Sequence, residues 1–220
     1  MTGNVIAIDG PSASGKSTVA RRVAAVCAGL YVDSGSLYRG VTHAVLARGI
    51  DPADASEVVR ALQEAEISFV EDNGAVVFRL DGEDVSEAIR RPEINSSVSA
   101  VAAVEEVRRQ VTQWLRDMRE HGDLVMEGRD IGTVVFPDAS HKFYLSASEE
   151  ERARRRHAEM PADVASVEEI DRSLRRRDQL DSTRKVAPLK TAPDAIVVDT
   201  TGLSIEDVVQ CIVDHLGESA

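Results

Sequence analysis

Cysteine is nearly absent. The 220 residues hold two, Cys27 and Cys211, too few for a disulfide framework. Their apolar surroundings (VAAVCAG and VVQCIV) predict buried free thiols and a reducing cytosol. Positive charge is also in deficit. With 26 basic and 38 acidic side chains the formal net charge is -12. That excludes the overall basic footprint of a non-specific nucleic-acid binder. Long apolar runs are missing as well. The N-terminal stretch offers only Val5 to Ile8 with no basic leader, so neither a signal peptide nor a membrane span is expected. There is no internal repeat, no low-complexity segment and no linker long enough to separate independent domains. What remains, with 43% apolar and 29% charged residues, is enough for one sizeable core.

The charge is unevenly spread. Residues 152–190 carry 11 basic and 7 acidic side chains, a local balance of +4, and the rest of the chain carries -16. Arginine dominates that segment: Arg152, Arg154, Arg155, Arg156, Arg172, Arg175, Arg176, Arg177 and Arg184. A solvated helix face would explain most such runs. The planar guanidinium fork, however, matches phosphate and carboxylate oxygens, and so favours a phosphate-binding surface.

Five short, nearly continuous apolar runs read as strands buried on both faces: Val5–Asp9, Leu30–Asp33, Leu124–Glu127, Lys142–Leu145 and Ile196–Asp199. Helical patterns lie between them. One covers Ser17–Ala28. Another covers Ser99–Arg119, with Val104, Val107, Val111, Trp114, Leu115 and Met118 at helical spacing. Ser148 with Glu151, and Ser204 with Asp207, read as capping boxes. Strands alternating with helices predict an α/β fold with a five-stranded parallel, doubly wound sheet. Ile67–Val70, Ala75–Leu80 and Asp84–Val85 break that rhythm. Asn73-Gly74 and Asp81-Gly82 between them are hairpin turns, so a small three-stranded antiparallel insert is expected.

The strongest motif is Gly10-Pro11-Ser12-Ala13-Ser14-Gly15-Lys16-Ser17, followed by Thr18. It matches G-x-x-x-x-G-K-[ST] at every fixed position, after an apolar strand and before a helix. Backbone N–H groups and the helix N-terminus suit a β-phosphate. Lys16 would reach the β- and γ-phosphates, and the Ser17 hydroxyl would ligate Mg²⁺. A guanine-reading NKxD motif is absent, and a motor or helicase would be longer. A kinase acting on a small phosphorylated acceptor fits better.

Asp33-Ser34-Gly35, followed by Tyr38-Arg39, ends the second strand run, and Glu127-Gly128-Arg129-Asp130 ends the third. Ligands of open α/β sheets bind outside such strand ends. Taken singly, Ser34 would also fit a helix N-cap and the second cluster a turn with a surface ion pair. Ile170, Leu174, Arg177, Asp181 and Arg184 recur at helical spacing, which predicts one inward face that turns from apolar to charged. Buried charge needs partners, and a nucleotide would supply them. His43, His121, His141, His157 and His215 show no metal-ligand spacing, and Trp114 and the methionines read as core.

The segments GPSASGKS, DSGSLYR, LDGEDVSEAIRRPEI, SSVSAVAAVEEVR, EGRDIGTVVFPDA, SASEEERARRR and RRRDQLDSTRKVAPL span the chain. Together they closely resemble the bacterial cytidylate kinases, a family of nucleoside monophosphate kinases. The resemblance implies a P-loop kinase fold, with a core of 1–62, 104–147 and 186–220, a monophosphate-binding insert at about 63–103, and a short lid with arginine-rich helices at about 148–185. It implies ATP and Mg²⁺ on the cradle, and Ser34, Arg39, Arg129 and Arg184 around the acceptor's phosphate. Ser99, Arg108 and Asp130 would read cytosine, Arg177 and Asp181 would hold the sugar, and Arg152 and Arg156 would begin the lid. Lys16, Arg129, Arg152, Arg156 and Arg184 are then the candidate catalytic set. The expected reaction is phosphorylation of CMP and dCMP by a cytoplasmic monomer without nucleic-acid or membrane partners. Another acceptor (UMP or AMP) and a non-catalytic P-loop regulator are the alternatives.

The chemistry agrees. A carboxylate such as Asp130 accepts from cytosine's exocyclic amine and repels the uracil carbonyl in its place. Ser99 and Arg108 are separated by about two and a half helical turns, and are expected to share a face of one helix.

Overall fold

The computed structural model describes residues 3–160 and 166–217. Its centre is a parallel sheet of β1 (Val5–Asp9), β2 (Leu30–Asp33), β6 (Leu124–Gly128), β7 (His141–Ser146) and β8 (Ile196–Asp199), in the order β2-β6-β1-β7-β8. All five predicted strands are present. The register sets Asp9 beside Gly128 and Asp33 beside Glu127, so the carboxyl ends of the strands share one edge.

Side chains alternate across the sheet, as strand geometry requires. Ala7, Val32 and Met126 face one core, with Leu37, Val41, Val111 and Leu115. Ile8, Tyr31 and Val125 face the other, with Val19, Val23, Phe143 and Ile212. The first core lies under α2 (Ser34–Ala47), α3 (Ala55–Glu64), α4 (Pro92–Ala103) and α5 (Glu105–Asp117), and the second under α1 (Lys16–Cys27) and α8 (Ile205–Gly217). Both faces being covered accounts for the continuous apolar sequences of β1, β2, β6 and β7; β8, at the sheet edge, departs from the expectation and leaves Ile196 37% and Val197 58% exposed.

The insert forms as expected from β3 (Ile67–Asp72), β4 (Ala75–Leu80) and the two-residue β5 (Glu83–Asp84). Asn73 and Gly74 both take positive φ in its first turn. The hairpin also extends the main sheet, because β4 meets β2 in parallel at the single pair Tyr31–Ala75.

Two expectations fail. The stretch 99–119 is not one helix: Val104 takes an extended conformation (φ -69°, ψ 122°) and separates α4 from α5. Nor are the cysteines buried, since Cys27 is exposed and Cys211 only half-buried. Sequence neighbours on a helix lie on different faces, so apolar neighbours alone bury nothing. Val26 beside Cys27 is itself 60% exposed.

Candidate active site

The loop from Gly10 to Gly15 joins β1 to α1 at the carboxyl edge. A Cβ on Gly10 would lie 2.1 Å from the Leu145 carbonyl oxygen, so only glycine lets the loop pass β7. Gly15 caps α1 with φ +89° and no side-chain hydrogen bond. By contrast α3, α6 (Glu149–Ala158) and α7 (Val167–Thr183) are capped by the side chains of Asp54, Ser148 and Ser166. The first N–H groups of α1 are therefore left for an anion.

Within the loop, Lys16 Nζ donates to the Pro11 carbonyl at 2.6 Å and to Ser14 Oγ at 3.4 Å. Lys16 and Ser14 are buried, whereas Ser17 and Thr18 are exposed at the mouth. Burial, reinforced by Arg129, brings the Lys16 ammonium down to about 7, against the opposing pull of Glu127, Asp178 and Asp9. Ser17 Oγ donates to Glu127 Oε1 at 2.5 Å. Burial and the nearby Asp33 raise the Glu127 carboxyl, partly offset by Lys16 and Ser17.

Across the cleft lies a cationic floor. Arg39 donates to Asp33 Oδ2 at 2.6 Å, and Ser34 Oγ donates to the Glu127 carbonyl at 2.7 Å. Asp33, not Ser34, is the N-cap of α2, accepting from Ser36 N. Burial acts to raise Asp33, but Arg39 and the Ser36 bonds hold it below the ordinary carboxylate range. Arg129 donates from Nε to Asp181 Oδ2 at 3.2 Å and from Nη2 to Ser12 Oγ at 2.8 Å. Arg108 donates from Nη2 to both oxygens of Asp130, each at 3.2 Å, and lies over the Tyr38 ring. Arg184, the C-cap of α7, reaches Asp181 Oδ1 at 3.4 Å and lies 3.6 Å from Asp130. Ser99 Oγ donates to Asp181 Oδ1 at 3.4 Å.

The predicted inward stripe on α7 is present: Ile170, Leu174 and Asp181 are buried and Arg177 lines the cleft. Arg177 makes no hydrogen bond or close ion pair among the described residues, and its buried Nε has no partner. Burial and the neighbouring Arg129 lower its guanidinium to about 10. The same two kinds of cause, burial and a second arginine (here Arg108), lower Arg184.

Ser99 and Arg108 do meet in this cleft, though not as expected. Two and a half turns of one straight helix would put them on opposite sides. The break at Val104 turns both inward, with Arg108 Nη1 3.4 Å from the Ala102 carbonyl. Of the predicted set, Ser12, Ala13, Gly15, Lys16, Ser17, Thr18, Ser34, Arg39, Ser99, Arg108, Arg129, Asp130, Arg156, Arg177, Asp181 and Arg184 line one cleft. Gly10 and Ser14 are buried in the loop and do not line that cleft. Pro11 and Arg152 face a second depression behind it, so Arg152 is not brought to the cleft. Arg156 enters from α6, paired with Glu159 at 3.0 Å.

The residue pattern placed Asp33 and Glu127 at strand ends without giving either a role and did not single out Asp9, yet all three lie at the strand edge where ligands of such sheets bind. Asp9 accepts from Ile131 N at 2.9 Å and Gly132 N at 2.8 Å, fixing the turn after Asp130. Burial raises Asp9 to about 7 despite those bonds. The cleft presents seven cationic side chains against five carboxylates, a surplus suited to polyanions.

A phosphate cradle facing a second cationic floor across one cleft is the arrangement of a phosphotransferase that holds two anionic substrates. A family model for cytidylate kinase matches residues 6–218. A cytidylate kinase of Shouchella clausii is 44% identical over 218 residues, covering 97% of this chain and 96% of that one. One from Limosilactobacillus reuteri is 48% identical over 209 residues, covering 93% and 91%. The chain belongs to the cytidylate kinase family. The fold also resembles an uncharacterized protein from Eubacterium ventriosum, with TM-score 0.55, 9% identity, and coverage of 97% of this chain and 98% of that one.

Proposed function

We propose that the protein transfers the terminal phosphoryl group of ATP to CMP or dCMP, forming ADP and CDP or dCDP. The observation that carries this reading is the Arg108–Asp130 pair, buried on the floor opposite the phosphate cradle. Asp130 retains lone pairs for the cytosine amine, and Arg108 has a further N–H for the base carbonyl. Arg39, Arg129 and Arg184, with the Ser34 hydroxyl, hold the acceptor's phosphate. Arg177 and Asp181 hold its sugar. An oxygen of that phosphate attacks the γ-phosphorus in line, the new O–P bond forming as the bond to the β-phosphate oxygen breaks. The acceptor is already anionic, so no strong general base is needed. Lys16 and the loop N–H groups stabilise charge moving onto ADP, and Arg156 approaches from the lid side.

Ser17 and Glu127 fit Mg²⁺. Both offer hard oxygen donors, they already touch at 2.5 Å at the cradle mouth, and Glu127 is the carboxylate nearest it. Among the described residues no cluster of three or more His, Cys, Asp or Glu could hold a metal. Ser17 and Glu127 would hold the ion, which would supply charge neutralisation for the triphosphate.

The division into core, insert 63–103 and lid 148–185 belongs to the same reading, as does action as a cytosolic monomer without nucleic acid. Among the described residues no helix is long and apolar enough to cross a membrane. The test is ADP release from Mg-ATP with CMP, dCMP, UMP and AMP. CMP and dCMP should turn over best. Equal use of UMP would overturn the base assignment, and ADP release independent of acceptor would overturn the transfer.

A further inference from the structure

Asp178 lies on α7 next to Arg177, but its carboxylate faces the back of the phosphate loop, in the second depression. The reaction as described gives it no part. Its Oδ1 accepts from Ser12 N at 3.0 Å, and its Oδ2 accepts from Arg152 Nη1. The same Arg152 nitrogen donates to the Ser12 carbonyl at 3.2 Å. The Ser12 hydroxyl is taken by Arg129. One loop residue is thus gripped at its N–H, its carbonyl and its hydroxyl, by side chains from α7, α6 and the end of β6. Arg152 is 6% exposed, and Asp178 is the carboxylate that pairs with it.

We propose that Asp178 is a positioning residue for the donor cradle: with Arg152 it clamps Ser12 and fixes the path of the loop between Gly10 and Lys16 before ATP binds. Arg152 then acts through Ser12 rather than on a phosphate, which accounts for its place behind the loop. The pair is neutral as a unit, so it holds the backbone without adding net repulsion toward an anionic ligand. The gain is preorganisation, because N–H groups aimed in advance need no reordering when the phosphate arrives. This inference rests on the cradle being the ATP site.

The experiment titrates Mg-ATP, and separately CMP, into wild type, Asp178→Ala, Asp178→Asn, Asp178→Glu, Arg152→Met and the Asp178→Ala/Arg152→Met double variant by calorimetry. Asp178→Ala removes both bonds and should weaken ATP about tenfold, the scale of a lost charge-assisted hydrogen bond. Asp178→Asn keeps an acceptor for Ser12 N but turns an amide N–H toward Arg152, so its loss should be smaller. Asp178→Glu should recover part of the affinity. CMP affinity should stay within about twofold throughout, and the double variant should be no worse than Asp178→Ala, as for one shared interaction. Unchanged ATP affinity in Asp178→Ala, an equal loss for CMP, or additive losses in the double variant would each overturn the assignment. Should Asp178→Ala not fold, Asp178→Asn and Arg152→Met carry the same contrast. ATP binding is read without acceptor. A wild type that binds ATP but ignores CMP would refute the functional reading and leave this one standing.

Discussion

The two sides of the cleft are built on opposite plans. The donor cradle comes from one contiguous stretch, Gly10 to Thr18, and its ammonium is bonded within the loop, Lys16 to the Pro11 carbonyl. The acceptor floor draws on five elements, and its charges are bonded across long stretches of sequence, such as Arg129 to Asp181 and Arg108 to Asp130. The first plan makes a site for a group common to many substrates. The second makes each ligand contact depend on several side chains, as discrimination between bases requires. The difference also sets what a mutation should do: local on the cradle, shared on the floor.

The sharpest break would be Lys16→Ala. In the proposed mechanism the lysine acts on charge that shifts during transfer, so kcat should fall by about a hundred- to a thousandfold. CMP affinity, measured by calorimetry, should change less than about twofold because no floor residue bonds to Lys16. A comparable loss of CMP binding would show that the two sides are not separate.

Asp181→Ala probes the opposite side. Asp181 pairs with Arg129 and Arg184 and accepts from Ser99, so its removal should disturb phosphate and sugar contacts together. Steady-state kcat/KM for CMP and dCMP should fall in parallel, roughly ten- to a hundredfold. A loss confined to CMP would restrict its role to the 2′-hydroxyl, and no change beyond about twofold for either would remove it from the site.

A smaller effect sharpens the donor side. Lys16, at about 7 in the free protein, is mostly neutral at pH 8. Triphosphate oxygens would favour its ammonium and raise that value. ATP binding at pH 8 should therefore take up protons, and at pH 6, where Lys16 is already charged, take up fewer. Calorimetry in buffers of different ionisation enthalpy measures this. Equal uptake at both values would contradict the assignment.

The same contrast decides what was legible in the chain. The loop between β1 and α1 was legible as a motif because its glycines, lysine and serine fall at fixed spacing between a strand and a helix. Four of the parallel strands were readable because burial on both faces leaves unbroken apolar runs; the edge strand β8 carries such a run although Ile196 and Val197 are exposed. The floor was legible in its residue types but not in how they meet. Ser99 and Arg108 come together through the extended Val104, and no strong breaker marks that site: it is a β-branched residue in a run that keeps helical spacing. Glu127 and Asp9 escaped assignment because their contacts, to Ser17 and to the Ile131 and Gly132 N–H groups, join residues more than 100 positions apart. Arg152 was expected at the lid over the donor phosphates from the family resemblance. Its actual direction is set by Asp178 on another helix, which helical spacing within its own segment does not encode.

The central claim is that Asp130, held by Arg108, reads the cytosine amine. The most direct measurement is the ratio of kcat/KM for CMP to that for UMP, in wild type and in Asp130→Asn. A good polar base contact is worth about 1–3 kcal/mol of discrimination, so wild type should favour CMP by roughly ten- to a hundredfold or more. An asparagine amide can turn an N–H toward the uracil carbonyl, and the ratio should collapse toward unity in the variant. A wild-type ratio near one, or a ratio unchanged by Asp130→Asn, would contradict the account.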